Sequence, residues 1–132
     1  MEGWRMVSEQ TIRKWAELYN TEIGRADRIE DSVRYFMALR DVATFIDEKE
    51  YYLVYMIAPD MWGDKELYVV SFYIKPEYRN TNIFLKMQRQ IESVAKENKI
   101  RYTIQGSHID DKYFKFLSGI GYKVATMRKE NK

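Results

Sequence analysis

The segment YIKPEYRNTNIFLKM, residues 73–87, runs from the end of a strand into the start of a helix through a short basic turn. Such a turn can receive phosphate, because the first backbone N–H groups of a helix are unpaired and its dipole is positive there. Glycines usually let the anion approach bare backbone. None occurs here, and Asn82 and Phe84 stand where the smallest residues are wanted. Arg79 is the candidate for a phosphate contact, since a guanidinium presents several donors in a planar fork; the alternative is a solvated turn arginine. The remaining inventory is thin. A single histidine, His108, and no cysteine argue against a transition-metal centre, a disulfide or a thiol nucleophile. The acidic clusters DEKE and IDDK lack calcium-loop spacing.

The elements that must position these residues follow from periodicity. Ser8 can cap a helix carrying Ile12, Trp15, Ala16, Tyr19 and Ile23, ended by Gly24. A second helix is predicted from Asp27, with Glu30 as its capping-box partner and Ile29, Val33, Phe36 and Met37 buried. VATFID, YYLVYMIA and ELYVVSFYIK read as three strands paired in succession. In the third, Leu67, Val69 and Tyr73 alternate with Tyr68, Val70, Phe72 and Ile74, so both faces are covered. From about Asn82 to Lys99 the period becomes helical, with Phe84, Met87, Ile91, Val94 and Ala95 as the apolar stripe. RYTIQGSH returns to a strand, Asp110 or Asp111 caps a short helix, and YKVATM closes the order. The expected fold class is α/β (α+β), with a mixed, mostly antiparallel sheet and helices on both faces.

The 132 residues fit one domain, 1–132. Three Trp, eleven Tyr and six Phe can fill a core or line a pocket. The net charge of +2 comes from 22 basic and 20 acidic residues mixed along the chain, which argues against a dedicated nucleic-acid site. No stretch approaches the roughly 18 apolar residues of a membrane span, and MEGWRMVSEQ lacks a signal-peptide run, so a soluble, cytoplasmic protein is expected.

The element order, together with SFYIKPEYRNTNIFLKMQRQIESVAKENKI and FKFLSGIGYK, resembles the GCN5-related N-acetyltransferase (GNAT) superfamily, most specifically from Glu66 to Lys123. The resemblance implies that acetyl-CoA is the cofactor. Backbone near Tyr73 and Ile74 would orient its pantetheine arm, and the loop Arg79, Asn80, Thr81, Asn82, Ile83 and Phe84 would receive its pyrophosphate. The family's usual loop is a basic or Gln residue, two variable residues, Gly, one variable residue, then Gly or Ala, so Asn82 and Phe84 depart from it. Phe84 has two readings, as an anchor in the core or as an occupant of the donor groove. The family's thiolate-protonating tyrosine aligns with Leu117, which leaves Tyr113, one turn earlier, as a substitute acid or a structural tyrosine. His108 and Asp110 are the base candidates, with a lone histidine and a helix cap as their structural alternatives. The implied function is direct acyl transfer to an amine, on a small molecule or a protein. The alternative is a catalytically silent protein of this fold that serves a virus or host as a regulatory or protein-binding module.

Overall fold

The computed structural model describes residues 7–105, together with Gly119 and Gly121. Helix α1 (Glu9–Glu22) begins where Ser8 Oγ accepts from the Thr11 N–H at 3.2 Å. The chain leaves it through Gly24, whose φ of +75° few side chains tolerate. Ile12, Trp15 and Ala16 are buried as their spacing predicts, but Ile23 is exposed because it is already the C-cap residue.

Helix α2 (Ile29–Ala38) starts later than the sequence predicts. Residues Ala26–Arg28 form a 3-10 turn, and Arg28 occupies the cap without a side-chain bond. Glu30, the expected capping-box partner, instead accepts from Arg13 on α1. A contact between helices has displaced the local cap.

Strands β1 (Thr44–Asp47), β2 (Tyr51–Pro59) and β3 (Lys65–Ile74) pair antiparallel in succession. Helix α3 (Ile83–Glu97) then carries the chain back, and β4 (Tyr102–Ile104) joins β3 in parallel. The sheet order is β1-β2-β3-β4. It is mixed and mostly antiparallel, with helices on both faces. On the α1/α2 face, Trp15, Val33, Phe36, Phe45, Tyr52, Val54 and Tyr73 form one buried cluster. On the α3 face, Tyr51, Leu53, Leu67, Ile74, Met87 and Ile91 form the other. Complete burial of such a side chain contributes about 1.5–3 kcal/mol.

The alternation predicted for β3 breaks in its middle. Val54 pairs with Ser71, whereas Tyr55 pairs with Val69, so β3 carries an extra residue at Val70. Leu67 and Val69 face α3; past this bulge the phase inverts, and Phe72 and Ile74 take that face while Tyr73 turns to α1. A bulge inserts one unpaired residue and re-aims the side chains after it. Among the described residues, pairing with β4 also ends close by, at Tyr68 and Ile104. The short helix and last strand predicted beyond His108 lie outside the described residues.

Candidate functional site

The phosphate-turn candidates lie between β3 and α3. After Ile74 the chain makes a 3-10 turn at Pro76–Tyr78, and α3 begins at Ile83 with Asn82 as its N-cap. Asn82 accepts through its carbonyl from Lys86 N–H at 2.9 Å, and its side chain makes no cap bond. Thr81 does that work: its hydroxyl accepts from the Ile83 N–H at 3.2 Å and donates to the Tyr78 carbonyl. Asn80, Thr81 and Asn82 are exposed, whereas Ile83 and Phe84 are half-buried and pack on the α3-face cluster. The Phe84 ring lies 6.1 Å from that of Phe72. The first turn of α3 contains no acidic residue to repel an anion.

Arg79 is tied down by its own chain. Its Nε donates to the Ile74 carbonyl at 2.8 Å, and its Nη1 and Nη2 both reach Glu22 at the end of α1, the latter at 2.8 Å. The guanidinium also lies over the Tyr73 ring, 5.2 Å from its centre, and the Tyr73 hydroxyl donates to Glu22 at 2.6 Å. Arg79's hydrogen bonds hold the Glu22 carboxyl below its ordinary range, with the Tyr73 hydroxyl adding to the effect. Burial, and then the Glu22 carboxylate, push the Tyr73 phenol up to about 12. The structure thus gathers Tyr73 and Arg79, with Glu22 as a partner the sequence did not single out. Ile74 points to the opposite face of the sheet. Tyr113, His108 and Asp110 lie outside the described residues.

A cleft of about 450 Å³ opens between α1, α2 and the sheet. Val70 and Ser71, the residues at the bulge, line it, together with Tyr19, Asn20, Tyr35, Phe36 and Tyr52. Asn20 is 3% exposed and joins the helices, its amide donating to the Ala16 carbonyl at 2.8 Å and to Ser32 Oγ at 2.9 Å. Tyr52 and Ser71 share a hydrogen bond of 2.8 Å. Burial raises the Tyr52 phenol's pKa, so it stays protonated and can orient a ligand without acting as a base. On the opposite face Gln88, 2% exposed, exchanges two amide hydrogen bonds with Gln105 at 2.8 and 3.2 Å, just past the last β3–β4 pair.

Asn20 and Gln88 escaped the sequence reading, although a signal was present. Asn20 lies four residues after Ala16, and Gln88 lies four after Phe84 and three before Ile91, so each interrupts an apolar stripe on its buried face.

No family model and no curated protein matches the sequence. Solved structures do match the fold along nearly its whole length. A Pyrococcus furiosus protein described as an acetyl transferase superposes with a TM-score of 0.75 at 19% identity, covering 93% of this chain and 92% of that one. The ribosomal-protein-alanine N-acetyltransferase of Brucella melitensis biovar Abortus 2308 gives 0.71 at 11% identity, covering 96% of each chain. A Clostridium acetobutylicum protein described as an acetyltransferase, solved with acetyl-CoA, gives 0.69 at 13% identity, covering 96% of this chain and 92% of that one. At such low identities the shared property is architecture, and the chain has the fold of the GNAT superfamily.

Proposed function

We propose that the protein is an acyl-CoA-dependent N-acyltransferase, with acetyl-CoA as its donor. One observation carries this reading: β3 bulges at Val70 and Ser71 beside the place where its pairing with β4 ends, and the same two residues line the α1–α2 cleft. A donor lying along β3 past Tyr68 would meet an acceptor entering from that cleft. Bound there, an acyl-CoA supplies an activated acyl carbon. The backbone around Val69 and Ser71 would orient the amide-bearing pantetheine arm as a strand edge orients a peptide.

The turn fits a pyrophosphate in chemistry. Its exposed rim is the small polar set Asn80, Thr81 and Asn82, its two large residues face the core, and the helix start carries no acid. Two features weaken the grip: Thr81 already uses the Ile83 N–H, and Glu22 already fills the Arg79 fork. In the transfer the acceptor nitrogen bonds to the acyl carbon, the carbon–sulfur bond breaks, and the proton shed by nitrogen ends on the sulfur. Tyr113 as acid and His108 or Asp110 as base are the proton carriers in this reading. Positioning of the two reactants would supply most of the rate.

Calorimetric titration with acetyl-CoA at near-physiological salt should show one-site binding that weakens in Arg79→Ala. An absence of binding at millimolar ligand would end this reading. It would favour the alternative of a catalytically silent protein that serves as a protein-binding module; the observation on the side of a silent donor site is the Arg79 fork already filled by Glu22.

A further inference from the structure

The rim of the α1–α2 cleft has a charge its walls do not require. Arg25 and Arg28, from the connection between the helices, both line it, and their side chains are 51% and 52% exposed. Arg25 stands 3.7 Å from Asp27, beyond hydrogen-bond distance, and makes no side-chain hydrogen bond among the described residues. Among the described residues Arg28 uses only its Nε, on Asp31. Asp31, the one acidic residue lining the cleft among the described residues, is held by Arg34 as well. Two guanidinium groups therefore keep Nη donors available at the mouth, where Asp27 stands beside Arg25 and the cleft's one described carboxylate, Asp31, is already shared by two arginines.

Below them the walls are aromatic, formed by Tyr19, Tyr35, Phe36 and Tyr52, and the floor carries the Tyr52–Ser71 hydroxyl pair at the β3 bulge. We infer that this cleft selects a small acceptor with an amine at one end, an aromatic or other apolar body, and a carboxylate at the other end. The carboxylate is taken by Arg25 and Arg28, the body lies against the rings, and the amine reaches Ser71, beside the strand where the acyl carbon would arrive. Planar guanidinium forks match a carboxylate's two oxygens, and such charge-assisted bonds are about twice as strong as neutral ones. The volume of about 450 Å³ is that of a small-molecule site. This inference rests on the acyltransferase reading for the word acceptor, but the selection itself is a property of the cleft.

The test is direct binding of para-(aminomethyl)benzoate, compared with benzylamine, which lacks only the carboxylate, by calorimetry or NMR titration without any acyl-CoA. The carboxylate should improve affinity at least about tenfold. Arg25→Gln and Arg28→Gln should each reduce that ratio, the double variant should bring it close to one, and Arg28→Lys should retain part of it. Unfolding temperatures of the variants check that Asp31, released from Arg28, has not loosened α2. Equal binding of the two amines by the native protein, or a ratio unchanged in a folded double variant, overturns the inference. A preserved ratio in a protein that fails to bind acetyl-CoA would retain the anion-selecting cleft and remove the acyltransferase reading, so the two failures are distinguishable.

Discussion

The two faces of the sheet are made from different chemistry. On the α3 face Leu53, Leu67, Ile74, Met87 and Ile91 supply a mainly aliphatic seal around one buried tyrosine, Tyr51, whose hydroxyl donates to Gln90. On the α1/α2 face Tyr52 stacks against Phe45 at 5.4 Å and meets Trp15 edge-on at 5.4 Å, and each polar tip has a partner. Tyr52 bonds Ser71, Tyr73 bonds Glu22, and Trp15 Nε1 donates to Asp47 at 2.7 Å. Aliphatic side chains only fill volume, whereas these rings are apolar along their bodies and hydrogen-bonding at their ends. One face therefore holds mostly by aliphatic packing, and the other combines ring packing with hydrogen bonds at the wall of the α1–α2 cleft.

The sharpest way to break this division is to damage the seal. Leu53→Ala should cost about 2–5 kcal/mol in denaturant unfolding, the usual range for truncating a buried leucine. The folded fraction should still bind para-(aminomethyl)benzoate as before, and a parallel loss of affinity would show that the faces are not separable. Gln88→Leu comes next. It removes the two amide hydrogen bonds between Gln88 and Gln105 and should cost about 1–2 kcal/mol.

Tyr52→Phe keeps the ring and removes the hydroxyl that Ser71 shares. Stability should fall by about 1 kcal/mol, with a clear loss of amine affinity in the cleft, whereas the same change at Tyr51, on the other face, should leave that affinity alone. A smaller effect is expected from Glu22. Its folded pKa lies below the ordinary 4.5, so its contribution is complete above about pH 4.5 and is lost as pH falls through the lower folded value. Both ion-pair partners are a third or more exposed, which limits the contribution to less than about 1 kcal/mol. Thermal unfolding followed from about pH 6 to about pH 3 should show this acid loss flattened in Glu22→Gln. Asn82→Gly should change stability least, by a few tenths of a kcal/mol, and should tighten acetyl-CoA binding by opening the backbone at the turn.

Much of this arrangement was legible in the residues. The α3 stripe of Phe84, Met87, Ile91, Val94 and Ala95 is broken on its buried face at Gln88, yet the helix could be read from its spacing, and Phe84 packs on the core as one of its two readings had it. The order of three antiparallel strands, a crossover helix and a parallel strand followed from the turns between them. The bulge was not legible. From Leu67 to Ile74 nearly every residue is apolar, and a strand covered on both faces gives no polar beat against which a slip of one residue would show. The Glu22–Arg79 pair joins residues 57 positions apart, and the Arg13 claim on Glu30 likewise depends on how two helices meet. Neither can be seen from local patterns.

The extra residue at Val70 gives β3 two successive reading frames of inward and outward positions. A deletion of that one residue would give the strand a single frame and leave Tyr73 on the α1 side and Phe72 and Ile74 on the α3 side, but Val70 and Ser71 would no longer stand together on the wall of the α1–α2 cleft. Composition would scarcely change, and every remaining residue would be the native one. Along this strand, then, the number of residues is itself inherited information, carried by the wall of the cleft and not by the packing of the sheet.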